Sequence, residues 1–187
     1  MAEHYRVAVL VGSLRKDSFN RRLALAVAAA APSNFAFEHI AIGDLPLYNQ
    51  DHDANPGERV TALKREIEAA DALLFVTPEY NRSMPGVLKN AIDIASRPYG
   101  KNSFKGKPAG VIGASVGALG TAMSQQHLRN VLAYLDVPTL GQPEAFFQLS
   151  DSLIDAQGKL AKEDTQKFLQ HWVDTYVAWV RIHKPKG

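Results

Sequence analysis

The chain has 187 residues, 46% of them apolar and 21% charged, and its 21 basic and 19 acidic residues leave a net charge of +2. These figures suit one globular domain spanning residues 1–187. They give no nucleic-acid footprint, and no apolar run approaches the roughly 20 residues of a membrane span. Cysteine is absent, which excludes disulfides, thiolate metal sites and thiol redox chemistry, so any redox activity must come from a bound cofactor.

Glu3, His4 and Arg6 lead straight into an apolar stretch. The basic–apolar–small order of a signal peptide is missing, and a cytoplasmic location is expected. Val7 to Val11 reads as a strand covered on both faces. Ser18 to Ala31 is a helix rich in alanine and leucine that stops at Pro32, and Phe35 to Ile42 is a weaker strand interrupted by Glu38 and His39. Asp44 to Gly57 is a loop, and Glu58 to Ala70 an amphipathic helix. Ala72 to Thr77 is the clearest buried strand. Pro85 to Ser96 carries Leu88, Ile92 and Ala95 on one helical face, and Lys107 to Ala114 is another strand, with glycines where something approaches closely.

Thr121 to Leu135 reads as helix, and Thr139 to Phe147 contains a fifth strand. Glu163 to Ile182 closes the pattern as a helix whose Phe168, Trp172, Tyr176 and Trp179 recur at spacings of three and four; core packing is the expectation for that stripe. Arg181, His183, Lys184 and Lys186 read as a solvated basic tail. The alternation of strand and helix implies a parallel sheet of about five strands with helices on both faces. In such sheets a ligand lies outside the carboxyl ends of the strands, where strand order reverses. That singles out the loops after Val11, Thr77 and Ala114.

The first loop, Gly12 to Asn20, joins a strand to a helix N-terminus, where unpaired N–H groups and the helix dipole favour an anion. Ser13, Ser18 and Asn20 add short donors and Arg15 a positive fork. The frame is neither a P-loop nor the dinucleotide G-x-G-x-x-G, so a monophosphate is the preferred ligand. The alternative is that Ser18 is only an N-cap while Arg15 and Lys16 are solvated. The second loop, Thr77 to Gly86, is stiffened by Pro78 and Pro85. Its backbone can read the edge of a flat heterocycle that Tyr80 and Asn81 line; equally, it is a surface turn with Tyr80 packed on the next helix and Glu79 paired locally with Arg82. In the third loop, Ser115 is placed to donate, and Gly117 and Gly120 let backbone come close to a ligand.

The residues Gly12-Ser13-Leu14-Arg15 with Ser18 and Asn20, then Pro78-Glu79-Tyr80-Asn81 with Ser83, Pro85-Gly86 and Leu88-Lys89-Asn90-Ala91-Ile92-Asp93, resemble the NADPH-dependent FMN reductase family. The likeness is greatest to its bacterial NAD(P)H:quinone oxidoreductases, also described as chromate reductases. It extends to Leu45-Pro46-Leu47-Tyr48-Asn49 and His127-Leu128-Arg129. The resemblance implies a flavodoxin-like three-layer α/β sandwich with a five-stranded parallel sheet. It implies that Ser13, Arg15, Ser18, Phe19 and Asn20 surround the FMN phosphate. Pro78, Glu79, Tyr80, Asn81, Arg82 and Ser83 would hold the isoalloxazine ring, with Ser115 and Gly117 on its other side. It further implies NADPH or NADH as electron donor, quinones, chromate, azo dyes or free flavin as acceptors, and a homodimer or homotetramer with the flavin near a subunit interface. One departure is Ile94, where the family often has Trp.

The flavin carries the chemistry in this reading, so no side chain is named as catalytic acid or base. Arg82 and Lys101 are candidates for attracting an anionic substrate. The histidines are scattered without metal-ligand spacing, and no metal is expected. Two other readings compete. Gly113-Ala114-Ser115-Val116-Gly117 fits the G-x-S-x-G frame, with Asp151 and His171 following in hydrolase order. A flavodoxin-like domain can also be a passive FMN electron carrier or a phosphorylated-ligand sensor. Carriers tend to be strongly acidic, whereas the sequence pI here is about 8.8, which favours the reductase.

Overall fold

The structure is a computed structural model and describes residues 3–184; Lys186 lies outside them. Five strands, β1 (Tyr5–Val11), β2 (Phe35–His39), β3 (Ala72–Val76), β4 (Ala109–Ser115) and β5 (Phe146–Gln148), form one parallel sheet in the order β2-β1-β3-β4-β5. Five α-helices connect and cover them: α1 (Phe19–Ala30), α2 (Glu58–Glu68), α3 (Gly86–Ala95), α4 (Ala122–Tyr134) and α5 (Glu163–His183). This is the flavodoxin-like doubly wound order, and the order in which strands are added reverses between β1 and β3.

Side chains alternate across a strand, and β1 shows the consequence. Val7 and Val9 face the layer built from α1 and α5, where Leu23, Val27, Trp172 and Tyr176 are buried. Ala8 and Leu10 face the layer built from α2, α3 and α4, with Leu63, Ile67, Leu88, Ile92 and Leu128. The aromatic stripe of α5 is core, as its spacing indicates. A Cβ on Gly110 would stand 2.8 Å from the Tyr176 ring and 2.9 Å from Trp172, so glycine is what lets the stripe sit on β4. The Tyr176 hydroxyl donates to Leu73 O at 2.9 Å. Phe168 is the exception, left partly exposed in the second turn.

Two strand boundaries and the packing of the C-terminal segment differ from the sequence expectation. β5 is only three residues long, because Gly141-Gln142-Pro143 interrupts the Thr139–Phe147 run and proline offers no ladder donor; Thr139 keeps a single bridge to Ala109. β2 stops at His39, although Ile40 N still donates to Val9 O at 3.0 Å. The described part of the basic tail is docked rather than solvated. Lys184 pairs with Glu3 and Asp71, each at 3.0 Å, and His183 stacks on Trp179. Among the described residues no helix is long and apolar enough to cross a membrane.

Candidate active site at the carboxyl ends of the strands

Gly12 ends β1 and donates to Val76 O at 2.9 Å. A Cβ there would meet Leu88 at 3.2 Å and Pro78 at 3.3 Å, so its small size lets the first two loops lie against each other. Beyond it, the backbone N–H groups of Ser13, Leu14, Arg15, Lys16 and Asp17, and those of Phe19 and Asn20 in the first turn of α1, donate to no acceptor among the described residues. No acidic residue occupies that first turn. Arg15 is exposed and enters no ion pair among the described residues. An array of unpaired donors at a helix N-terminus beside an uncommitted guanidinium suits a single phosphoryl group.

Two expected phosphate ligands are otherwise engaged. Ser18 is the N-cap, its Oγ accepting from Arg21 N at 3.3 Å, which leaves only its hydroxyl proton to donate. The Asn20 amide is spent on Ala114: Nδ2 donates to Ala114 O and Oδ1 accepts from Ala114 N, each at 2.9 Å. Of the Asn20 polar donors only the backbone N–H is left without an acceptor among the described residues. Phe19 is half-buried, with the Arg22 guanidinium 5.3 Å from its ring centre.

The second loop is a tight hairpin. Tyr80 N donates to Ser83 O at 2.9 Å and Ser83 N to Tyr80 O at 3.0 Å. Asn81 and Arg82 at its tip have φ of +51° and +66°. That is the geometry of a type I′ turn, which asparagine tolerates but arginine does not, at a cost of order 1 kcal/mol. Four hydrogen bonds brace it. The Glu79 carboxylate accepts from Met123 N at 3.0 Å and Ser124 N at 3.3 Å at the start of α4, and from Arg82 at 2.9 Å. Ser83 Oγ and His127 Nδ1 share a hydrogen bond of 3.0 Å. Glu79 is thus a strut between the second loop and α4. Tyr80 itself is about half exposed rather than packed on α3.

In the third loop, Ser115 Oγ accepts from Gly117 N at 3.2 Å, and Gly120 N donates to Gly117 O at 3.0 Å. Between this loop and the hairpin lies a crevice of about 510 Å³ walled by Asn81, Arg82, Ser115 and Gly117. A second cleft of about 330 Å³ flanks the first loop and is lined by Arg15, Lys16, Arg21 and His39. Burial, and then the nearby Arg21 charge, push the His39 imidazole below its ordinary value of 6.5. The unfolded chain therefore takes up a proton more readily as pH falls through 6.5, and folding stability declines there. His39→Gln is expected to flatten that decline in urea titrations made between about pH 7 and pH 5.

The structure does not bring Lys101 to this crevice. The ten residues of α3 carry the chain about 15 Å away from the strand ends, and Lys101 sits beyond them on the segment entering the amino end of β4, its carbonyl accepting from Lys64 Nζ at 2.7 Å. Ile94, with Tyr48 and Arg97, lines a separate hollow of about 120 Å³ between the Pro46–Pro56 loop and the end of α3. A hydrolytic triad is not assembled either: Asp151 pairs with Arg22 at 2.7 Å, and neither Asp151 nor Ser115 is hydrogen-bonded to His171. Sequence reasoning missed Thr77 and Ser124, whose hydroxyls both reach Pro78 O, at 2.8 and 2.9 Å; Ser124 meets Pro78 across 46 residues, which leaves no local mark.

Comparison with known proteins finds the chain similar to flavin-dependent reductases. The family described as NADPH-dependent FMN reductase matches residues 5–150. A 2-hydroxy-1,4-benzoquinone reductase of Burkholderia sp is 57% identical over 176 residues, covering 94% of this chain and 96% of that protein. A quinone reductase of Pseudomonas putida is 48% identical over 185 residues, covering 98% and 99%. The solved structure of FerB, a flavoenzyme NAD(P)H:(acceptor) oxidoreductase from Paracoccus denitrificans, is similar with a TM-score of 0.92 at 48% identity, over 97% of this chain and 100% of that one.

Proposed function

This chain belongs to the NADPH-dependent FMN reductase family, and from that membership we propose that it reduces quinones at the crevice described above. It is an NAD(P)H-dependent oxidoreductase with FMN as its cofactor, so the carrier and sensor readings fall away. FMN, when bound, supplies the hydride-transfer chemistry between the nicotinamide and the acceptor. The observation that carries the site assignment is the run of unpaired N–H groups from Ser13 to Asn20 with Arg15 beside it. Those groups bind the phosphate. The hairpin from Pro78 to Ser83 supports one side of the ring, and Ser115 and Gly117 line the other.

Arg82 is 68% exposed at the crevice mouth, where its charge draws in anionic substrates such as a nicotinamide phosphate or chromate. Azo dyes and free flavin are further acceptors of the same open face. The relatives named as quinone reductases support quinone as the principal class. The whole chain acts as one cytoplasmic domain and assembles as a homodimer or homotetramer. Tyr99 and Tyr134, 88% and 81% exposed around a groove between α3 and α4, support an interface between copies.

Purified protein is expected to be yellow and to oxidise NADPH much faster with a benzoquinone present than without. Arg15→Ala should weaken FMN binding by about 1.5 to 3 kcal/mol, the range for a charged hydrogen-bond partner. Undiminished FMN affinity in equilibrium dialysis of that variant would remove the phosphate assignment.

A further inference from the structure

Thr77 and Ser124 are both 0% exposed, yet their hydroxyls make no helix or strand hydrogen bond. Their hydroxyls converge on one carbonyl. Thr77 Oγ1 lies 2.8 Å and Ser124 Oγ 2.9 Å from Pro78 O, and the two hydroxyl oxygens are 3.0 Å apart. Each hydroxyl has a single proton. Either both donate to the carbonyl, or one donates to the other and that one to the carbonyl. In both arrangements the Pro78 carbonyl is held inward, against the first turn of α4.

The Pro78–Glu79 peptide is trans, and in a planar trans peptide the N–H points opposite to the C=O. Gripping the carbonyl therefore sets the direction of the Glu79 N–H. That N–H has no acceptor among the described residues, whereas the next amide, Tyr80 N–H, is used within the hairpin. Glu79 borders the crevice, and its own carboxylate is tied to Met123 N and Ser124 N, so it does not compete for the amide. We propose that Thr77 and Ser124 are positioning residues that lock the Pro78–Glu79 peptide so that the Glu79 N–H stands toward the crevice as a donor to the polar rim of the flavin ring. This rests on the assignment of the crevice to FMN.

The test compares FMN with riboflavin, which has the ring but no phosphate, in titrations of flavin-stripped full-length protein. Thr77→Val combined with Ser124→Ala should weaken both ligands alike, by about tenfold, as for one lost hydrogen bond. Thr77→Ser, which keeps the hydroxyl, should bind both nearly as the parent does. Arg15→Ala should weaken FMN and leave riboflavin unchanged. If Arg15→Ala discriminates between the ligands and the hydroxyl variant binds both normally, the positioning role is wrong and the site assignment stands. If Arg15→Ala has no effect on FMN, the site assignment itself fails. A variant that does not fold leaves the measurement on the parent protein: the Glu79 amide resonance should move downfield on adding riboflavin, and a stationary resonance overturns the proposal.

Discussion

Gly113→Ala is expected to destabilise the protein by about 3 kcal/mol or more and to strip it of flavin, the overpacking limit for a site that cannot relax. The reason is local and geometric. A Cβ at Gly113 would stand 2.2 Å from the backbone oxygen of Thr77 and 2.3 Å from Thr121 Oγ1. Neither obstacle is the free end of a flexible side chain. Thr77 closes β3, its N–H donating to Ile112 O at 3.0 Å. Thr121 is the fully buried N-cap residue of α4, and its hydroxyl accepts from Gln125 Nε2 at 2.9 Å. Making room for one methyl group forces apart the end of β3 and the start of α4, the two elements that hold the second loop. Urea denaturation of the variant measures the loss, and a midpoint equal to that of the parent would show that the contact yields more easily than its distances allow.

Asn20→Ala is expected to cost about 2 to 6 kcal/mol, because two buried backbone groups lose their partners at about 1 to 3 kcal/mol each. The position explains why one side chain matters so much. In β4 the backbone groups of Gly113 and Ser115 face β5, through Ala145 O and Leu149 N, while Ile112 O faces β3 through Thr77 N. Ala114 is thus directed to the β3 side, where β3 has already ended and Pro78 has no N–H to offer. The Asn20 amide takes that place, matching donor to acceptor and acceptor to donor at 2.9 Å each. Because Asn20 also belongs to the first turn of α1, its loss uncouples the first loop from the third, and on the proposed assignment FMN retention should fall together with stability. Asn20→Asp should not rescue either quantity, since a carboxylate oxygen would face the Ala114 carbonyl. Parent-like urea midpoints in both variants would contradict this account.

Much of the site was open to reading from local chemistry. A strand end followed by Gly12-Ser13-Leu14-Arg15 and an N-cap serine predicts unpaired amides at a helix start whatever surrounds them. Pro78 and Pro85 around a polar tip likewise predict a stiff turn. Other assignments were beyond the reach of pattern. Asn20 and Glu79 carry the residue types of ligand contacts, but the fold commits their side chains to Ala114 and to α4, across 94 and 44 residues. Lys101 has the right charge for an anion and the wrong end of the sheet.

What the sequence alone determined is therefore the alternation of strands and helices, the three loops at the strand ends, and the family to which the chain is related, all of which follow from periodicity and contiguous motifs. The tertiary structure alone decided which polar groups are left over for a ligand. A hydrogen-bonding side chain is available only if nothing else in the folded chain claims it, and at this site the claimants, Ala114 for Asn20 and the first turn of α4 for Glu79, arrive from distant segments that local patterning does not bring together.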